Sequence, residues 1–165
     1  MQDSHLIGGF LVMREFIEMR RLDFIVAMVV FAAFAALVSS RGDVLFLGVW
    51  YYAAVVSGAF ALALLVNPTP LFASGAVIAA GLSLALYVRA NWHPTPDSGL
   101  VGLGHLFSLP GAAIGLLLVG VGSRLLGIRE PNAVIATGAA GFLIGFAINQ
   151  AYVCDALISC GILSS

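Results

Sequence analysis

Few side chains in this chain can do chemistry, and those that can lie late in the sequence. His93, Asp97 and His105 share one stretch, and two imidazoles with a carboxylate are a set able to ligate zinc or copper. Their spacing matches no compact ligand motif and no fourth ligand stands near, so neither a metal nor another cofactor is expected. Cys154 and Cys160 are six residues apart. On an unbroken helix that is ~9 Å along the axis, beyond the ~7 Å that a disulfide allows between Cα atoms. A bridge therefore requires the helix to stop near Asp155 and an oxidising compartment around it, and without a Cys-x-x-Cys pair no thiol catalysis is expected. Arg41-Gly42-Asp43 suits a tight turn. Gly120-x-Gly122 lacks the strand, the third glycine and the acidic partner of a dinucleotide site, so both motifs are read as structure.

The elements that must position these residues follow from composition. The 165 residues are 61% hydrophobic and 9% charged, with a mean hydropathy of +1.08, far outside the usage of a soluble domain. A helix needs ~20 mainly apolar residues to cross ~30 Å of hydrocarbon, so the chain has room for about five spans and almost no extramembrane domain. The expected fold class is all-α, a single polytopic transmembrane helix bundle. A net charge of -1, with arginines placed singly or in pairs, offers no basic surface for nucleic acid. Arg is used throughout in place of Lys, which points to a bacterial source and hence to the cytoplasmic (inner) membrane.

Apolar runs and their interruptions place the spans at about 22–40, 44–66, 71–88, 110–127 and 133–153. Arg20 and Arg21 ahead of the first run loosely resemble a twin-Arg export signal, but four further apolar segments follow, so the run is read as a span. Prolines 68 and 70 break the chain between the second and third spans. The one long connection, 89–109, is expected to be a loop whose Gly-rich second half lies in the interface or re-enters the membrane. Ahead of the first span, Leu6, Phe10, Met13 and Ile17 share one helical face opposite Arg14, Glu15 and Glu18, which predicts an interfacial helix over 5–21.

Orientation follows from the arginines near the span ends. With the N-terminus inside, the cytoplasmic side carries Arg14, Arg20, Arg21, Arg124 and Arg129, and the outer side carries Arg41 and Arg89. The C-terminus is then outside. In that frame Trp50, Tyr51, Tyr52, Tyr87, Trp92 and Tyr152 all fall toward the outer ends of their spans, whereas an ordinary aromatic belt decorates both interfaces.

No expected span carries an ionisable side chain in its middle, which counts against a proton-coupled transporter or an intramembrane hydrolase. Small residues recur at four-residue spacing instead: Ala53/Ser57/Ala61, Gly75/Ala79/Ser83, Gly111/Gly115 and Thr137/Gly141/Gly145/Asn149. Such stripes let helix backbones approach closely, and Gly111 and Gly115 are expected to meet Gly141 and Gly145 in a hairpin of the last two spans. The expected function is a non-catalytic membrane module, an accessory, assembly or immunity-type subunit. It would dock membrane lipid, another membrane protein or a second copy of itself through these stripes and an outer surface. That surface is expected to hold Trp50, Tyr51, Trp92, His93, Asp97 and His105, with Trp92 as anchor. A small oligomeric channel or carrier is the alternative, and a redox or metal-dependent membrane enzyme ranks third.

Overall fold

A helix with apolar residues on every side suits hydrocarbon because each backbone N–H and C=O pairs within its own segment. The computed structural model describes residues 18, 20–93 and 98–156; the side chains of 98–101 and 154–156 are outside that description. Among the described residues the chain forms five helices, here α1 (Arg21–Arg41), α2 (Val49–Val66), α3 (Phe72–Ala90), α4 (Ser98–Leu125) and α5 (Pro131–Ala156). All five are long and apolar enough to cross a membrane, and the chain is an all-α membrane-embedded bundle. The interfacial helix expected over 5–21 lies almost wholly outside the described residues.

The helix ends have local causes. Gly127 adopts φ +64° after α4, and the Ile128 N–H reaches back to Ser123 O at 3.0 Å while the Gly127 N–H reaches Arg124 O at 3.1 Å. This is a Schellman ending, which a side chain at the left-handed position would strain. Pro131 then opens α5 at the one place where a missing N–H costs nothing. The Glu130 carboxylate accepts from the Ala133 N–H at 2.6 Å in that first turn.

Two boundaries differ from the sequence reading. The connection expected over 89–109 is mostly helix: α4 begins at Ser98 and runs through Pro110. Proline removes the N–H that would pair with the Leu106 carbonyl. The neighbouring helix compensates, because Asn149 of α5 donates its side-chain N–H to the adjacent Phe107 carbonyl. A proline inside a span is tolerated when neighbours satisfy the disturbed backbone in this way. The second difference is that α2 starts at Val49 rather than at 44, leaving 42–48 as a loop.

α3 is the central element. It touches all four other helices, and 67% of its spanning stretch is buried against 6% for α1, so among the described residues α1 is the helix least covered by the rest of the bundle. Phe72, Ala73, Ala76, Val77, Ala80 and Leu84 of α3 are fully buried. α5 packs on α3 and on α4 through glycines. A β-carbon at Gly115 would overlap the Gly141 carbonyl, one at Gly145 would overlap the Gly111 carbonyl, and one at Gly111 would meet Asn149 and Gly145. At Gly141 the nearest neighbours, Gly115 O and the Val119 side chain, stand 3.1 Å from that position. Gly75 against Ile135 and Gly138 against Phe72 make an equally close α3–α5 contact.

Candidate functional site

Four helices converge on His105, in the second turn of α4 and 0% exposed. Tyr51 Oη of α2 lies 2.6 Å from Nδ1, and Ser83 Oγ of α3 lies 3.1 Å from Nε2. Ser83 also donates to Ala80 O at 2.8 Å. A serine has one proton, so the oxygen facing His105 accepts: Nε2 carries the imidazole proton and Nδ1 accepts from the Tyr51 hydroxyl. Tyr51, Tyr87 and Phe146 surround the ring at centroid distances of 5.8, 4.9 and 5.1 Å, the two tyrosines at 84° and 80° to it. Such edge-to-face contacts add to what burial alone contributes. One turn further along α4, the buried Ser108 donates to Gly104 O at 2.8 Å and bonds to Gln150 of α5. Both ring nitrogens are thus engaged by protein groups, and the cluster is a closed polar core joining α2, α3 and α4, lined by α5.

On the same side of the bundle the 42–48 loop is tied down from several directions. Asp43 accepts from the Gly48 N–H at 2.5 Å and from the Tyr52 hydroxyl at 3.1 Å. That hydroxyl accepts from the Leu45 N–H at 3.0 Å, and Asn91 donates to Val44 O at 2.5 Å. The Arg41 guanidinium sits 4.8 Å above the centroid of Trp92, within cation–π range. Arg41, Asp43, Val44, Asn91 and Trp92 line a cleft of about 240 Å³ together with Phe46. Phe46 is 60% exposed and holds φ +58°, a left-handed conformation that costs a bulky residue roughly 1–3 kcal/mol and persists only when its surroundings enforce it.

Of the six residues expected to form one surface, the five that are described separate into two sets. Trp50 (82% exposed) and His93 are on the surface, and Trp92 is half-buried under Arg41. Tyr51 and His105 point into the bundle and bond to each other. His105 was expected in a loop; the continuation of α4 through Pro110 places it in a span and buries it completely. Asp97 and Cys160 lie outside the described residues, and Cys154 lies in the last turn of α5. Among the described residues no three of His, Cys, Asp and Glu come together.

The opposite side holds an arrangement that hydropathy does not reveal. Asp23, in the first turn of α1, is fully buried. It accepts from the Ser74 N–H at 2.8 Å, the Ser74 hydroxyl at 2.5 Å and the Leu71 N–H at 3.0 Å. A carboxylate on one helix therefore caps the N-terminus of another, where the helix dipole favours negative charge. It also holds Leu71 at φ +75°. Arg20 lies 4.0 Å from Asp23 and donates to Pro68 O; burial lowers its pKa and the Asp23 charge opposes that shift. Asn67 donates to Ser123 Oγ at 2.9 Å, and Arg124 to Val66 O at 2.9 Å, closing the end of α2.

Comparison with protein-family models, curated proteins and solved structures returns no match. The functional reading therefore rests on the geometry of the chain itself.

Proposed function

We propose that this integral membrane protein is a non-catalytic module, an accessory, assembly or immunity-type subunit, that binds a protein or lipid partner on the side of the 42–48 loop. The Arg41–Trp92 pair carries the reading. Trp and Arg are the residue types most enriched where binding energy concentrates, and here they flank a cleft on a loop that is already ordered, so little conformational entropy is lost on binding. Phe46, exposed in a strained conformation beside them, supports the same surface. The polar side chains that could line the path of a channel or carrier, Ser123, Thr137, Asn149 and Gln150, are each hydrogen-bonded to protein groups, which favours docking. The arginine distribution supports a cytoplasmic N-terminus and an external C-terminus, and the use of Arg in place of Lys supports residence in a bacterial inner membrane.

Copurification in mild detergent tests the reading. Trp92→Ala should lose the partner while expression, membrane insertion and helical content stay at wild-type levels. A Trp92→Ala, His93→Ala double variant that retains its partner at wild-type stoichiometry would move the interaction to the helix faces within the membrane.

A further inference from the structure

The groove between α1 and α3 ends at Trp92, and we infer that it holds one acyl chain of a phospholipid whose anionic headgroup is bound by Arg41 and Arg89. The inference rests on the docking reading above and names the partner. α1 and α3 both run toward the 42–48 side and meet where Val30 packs over Gly81. Beyond that contact, Ala33 and Ala85 leave a groove of about 290 Å³ walled by Phe34, Leu37 and Val88, with Arg89 and Trp92 at its end. Ala33, Leu37 and Arg41 succeed one another at four-residue spacing, as do Ala85 and Arg89, so each wall leads to an arginine on the same helix face.

Size and charge select the occupant. From Ala33 to Arg41 is ~12 Å of helix, against ~15 Å for the hydrocarbon of one leaflet, so the groove lies in one leaflet and its arginines reach the depth of lipid phosphates. A space of about 290 Å³ is small beside a helix ~10 Å across and is of the size of part of one extended acyl chain. Among the described residues neither Arg41 nor Arg89 forms a salt bridge. The one carboxylate in the adjoining cleft, Asp43, is engaged by Gly48 and Tyr52. Two guanidiniums without a carboxylate partner among the described residues, Arg89 at the end of the apolar groove and Arg41 over Trp92 in the adjoining cleft, are complementary to a phosphate carrying a hydrocarbon tail. Trp92, apolar in body and with one N–H donor, stands where the two regions of such a lipid join.

Native mass spectrometry of the full chain tests this, with dioleoylphosphatidylglycerol and dioleoylphosphatidylcholine added at equal concentration. The wild type should retain the anionic lipid about tenfold more than the zwitterionic one. Arg41→Gln, Arg89→Gln should bring the two to parity, and Arg41→Lys, Arg89→Lys should keep most of the preference. Ala85→Phe, which fills the groove and leaves both arginines, should reduce retention of both lipids. Equal retention by the wild type, or a preference that survives in the double Gln variant, would overturn the assignment. So would a dimer of the chain that Ala85→Phe dissociates with no loss of bound lipid. If the lipid result is negative and Trp92→Ala still loses a copurifying protein, docking stands with a protein as partner; if the lipid is selective and no protein depends on Trp92, the lipid is the partner.

Discussion

His105 joins three helices through two hydrogen bonds, and its removal should show how much the polar core contributes. Tyr51→Phe and Ser83→Ala each remove one interhelical hydrogen bond, a type that averages ~0.6 and reaches ~1.7 kcal/mol in membrane proteins. His105→Ala removes both, leaves a buried hydroxyl unpaired and opens a cavity among Tyr51, Tyr87 and Phe146. It should destabilise the bundle by about 3 kcal/mol, more than the two single variants together. Denaturant titration in mixed micelles measures all three, and a His105→Ala loss smaller than the sum of the others would mean that the ring is not packed as described. Labelled imidazole nitrogens should likewise report a proton on Nε2 and none on Nδ1.

At the scale of elements, the α4–α5 pair is held by backbone approach, and the approach is uneven. A β-carbon at Gly115 or Gly145 meets a carbonyl oxygen of the opposite helix, which can move only if the helices separate. At Gly141 the neighbours, Gly115 O and the Val119 Cβ, stand at 3.1 Å rather than 2.1 Å, so a shift of a few tenths of an ångström relieves the contact. Gly115→Ala and Gly145→Ala should each cost about 1–3 kcal/mol through overpacking, and Gly141→Ala clearly less. Thermal unfolding of the three variants in one detergent gives the ranking. An equal loss at all three positions would remove the argument that close backbone approach organises the pair.

For the whole molecule, five successive helices of spanning length place Arg21 and the end of α5 on opposite sides of the bundle, and the 42–48 loop, residues 91–93 and the end of α5 on one side. With the N-terminus cytoplasmic, reporter fusions after Arg89 and at Ser165 should both read external, and one after Glu130 should read cytoplasmic. An external reading after Glu130 would invert the bundle and move the Arg41–Trp92 cleft to the cytoplasmic side. The cleft would then face a leaflet rich in anionic lipid, which makes the fusion result directly relevant to the lipid it meets.

The number of the spans was legible in the residues alone, because the decision to cross a bilayer depends on the apolarity of one continuous window. The four-residue recurrence of Gly111, Gly115, Gly141 and Gly145 was equally visible, since helical spacing is a property of the segment that carries it. Pairing between polar groups was not. Pro110 reads as a break when the chain is taken by itself; it lies inside a helix because Asn149, far away in sequence, offsets the disturbed backbone at Phe107. With that helix extended, His105 passes from a loop to the centre of the bundle. Asp23 likewise looks like an ordinary flank of the first span, and only the arrival of residues 71–74 makes it a buried cap. Gly81 and Ala85 shape the groove beside α1 only once α1 and α3 are docked. Local hydropathy sets which segments enter the membrane, whereas the identity of each buried polar partner is decided by neighbours brought close by packing, and for that reason the candidate sites became readable only in three dimensions.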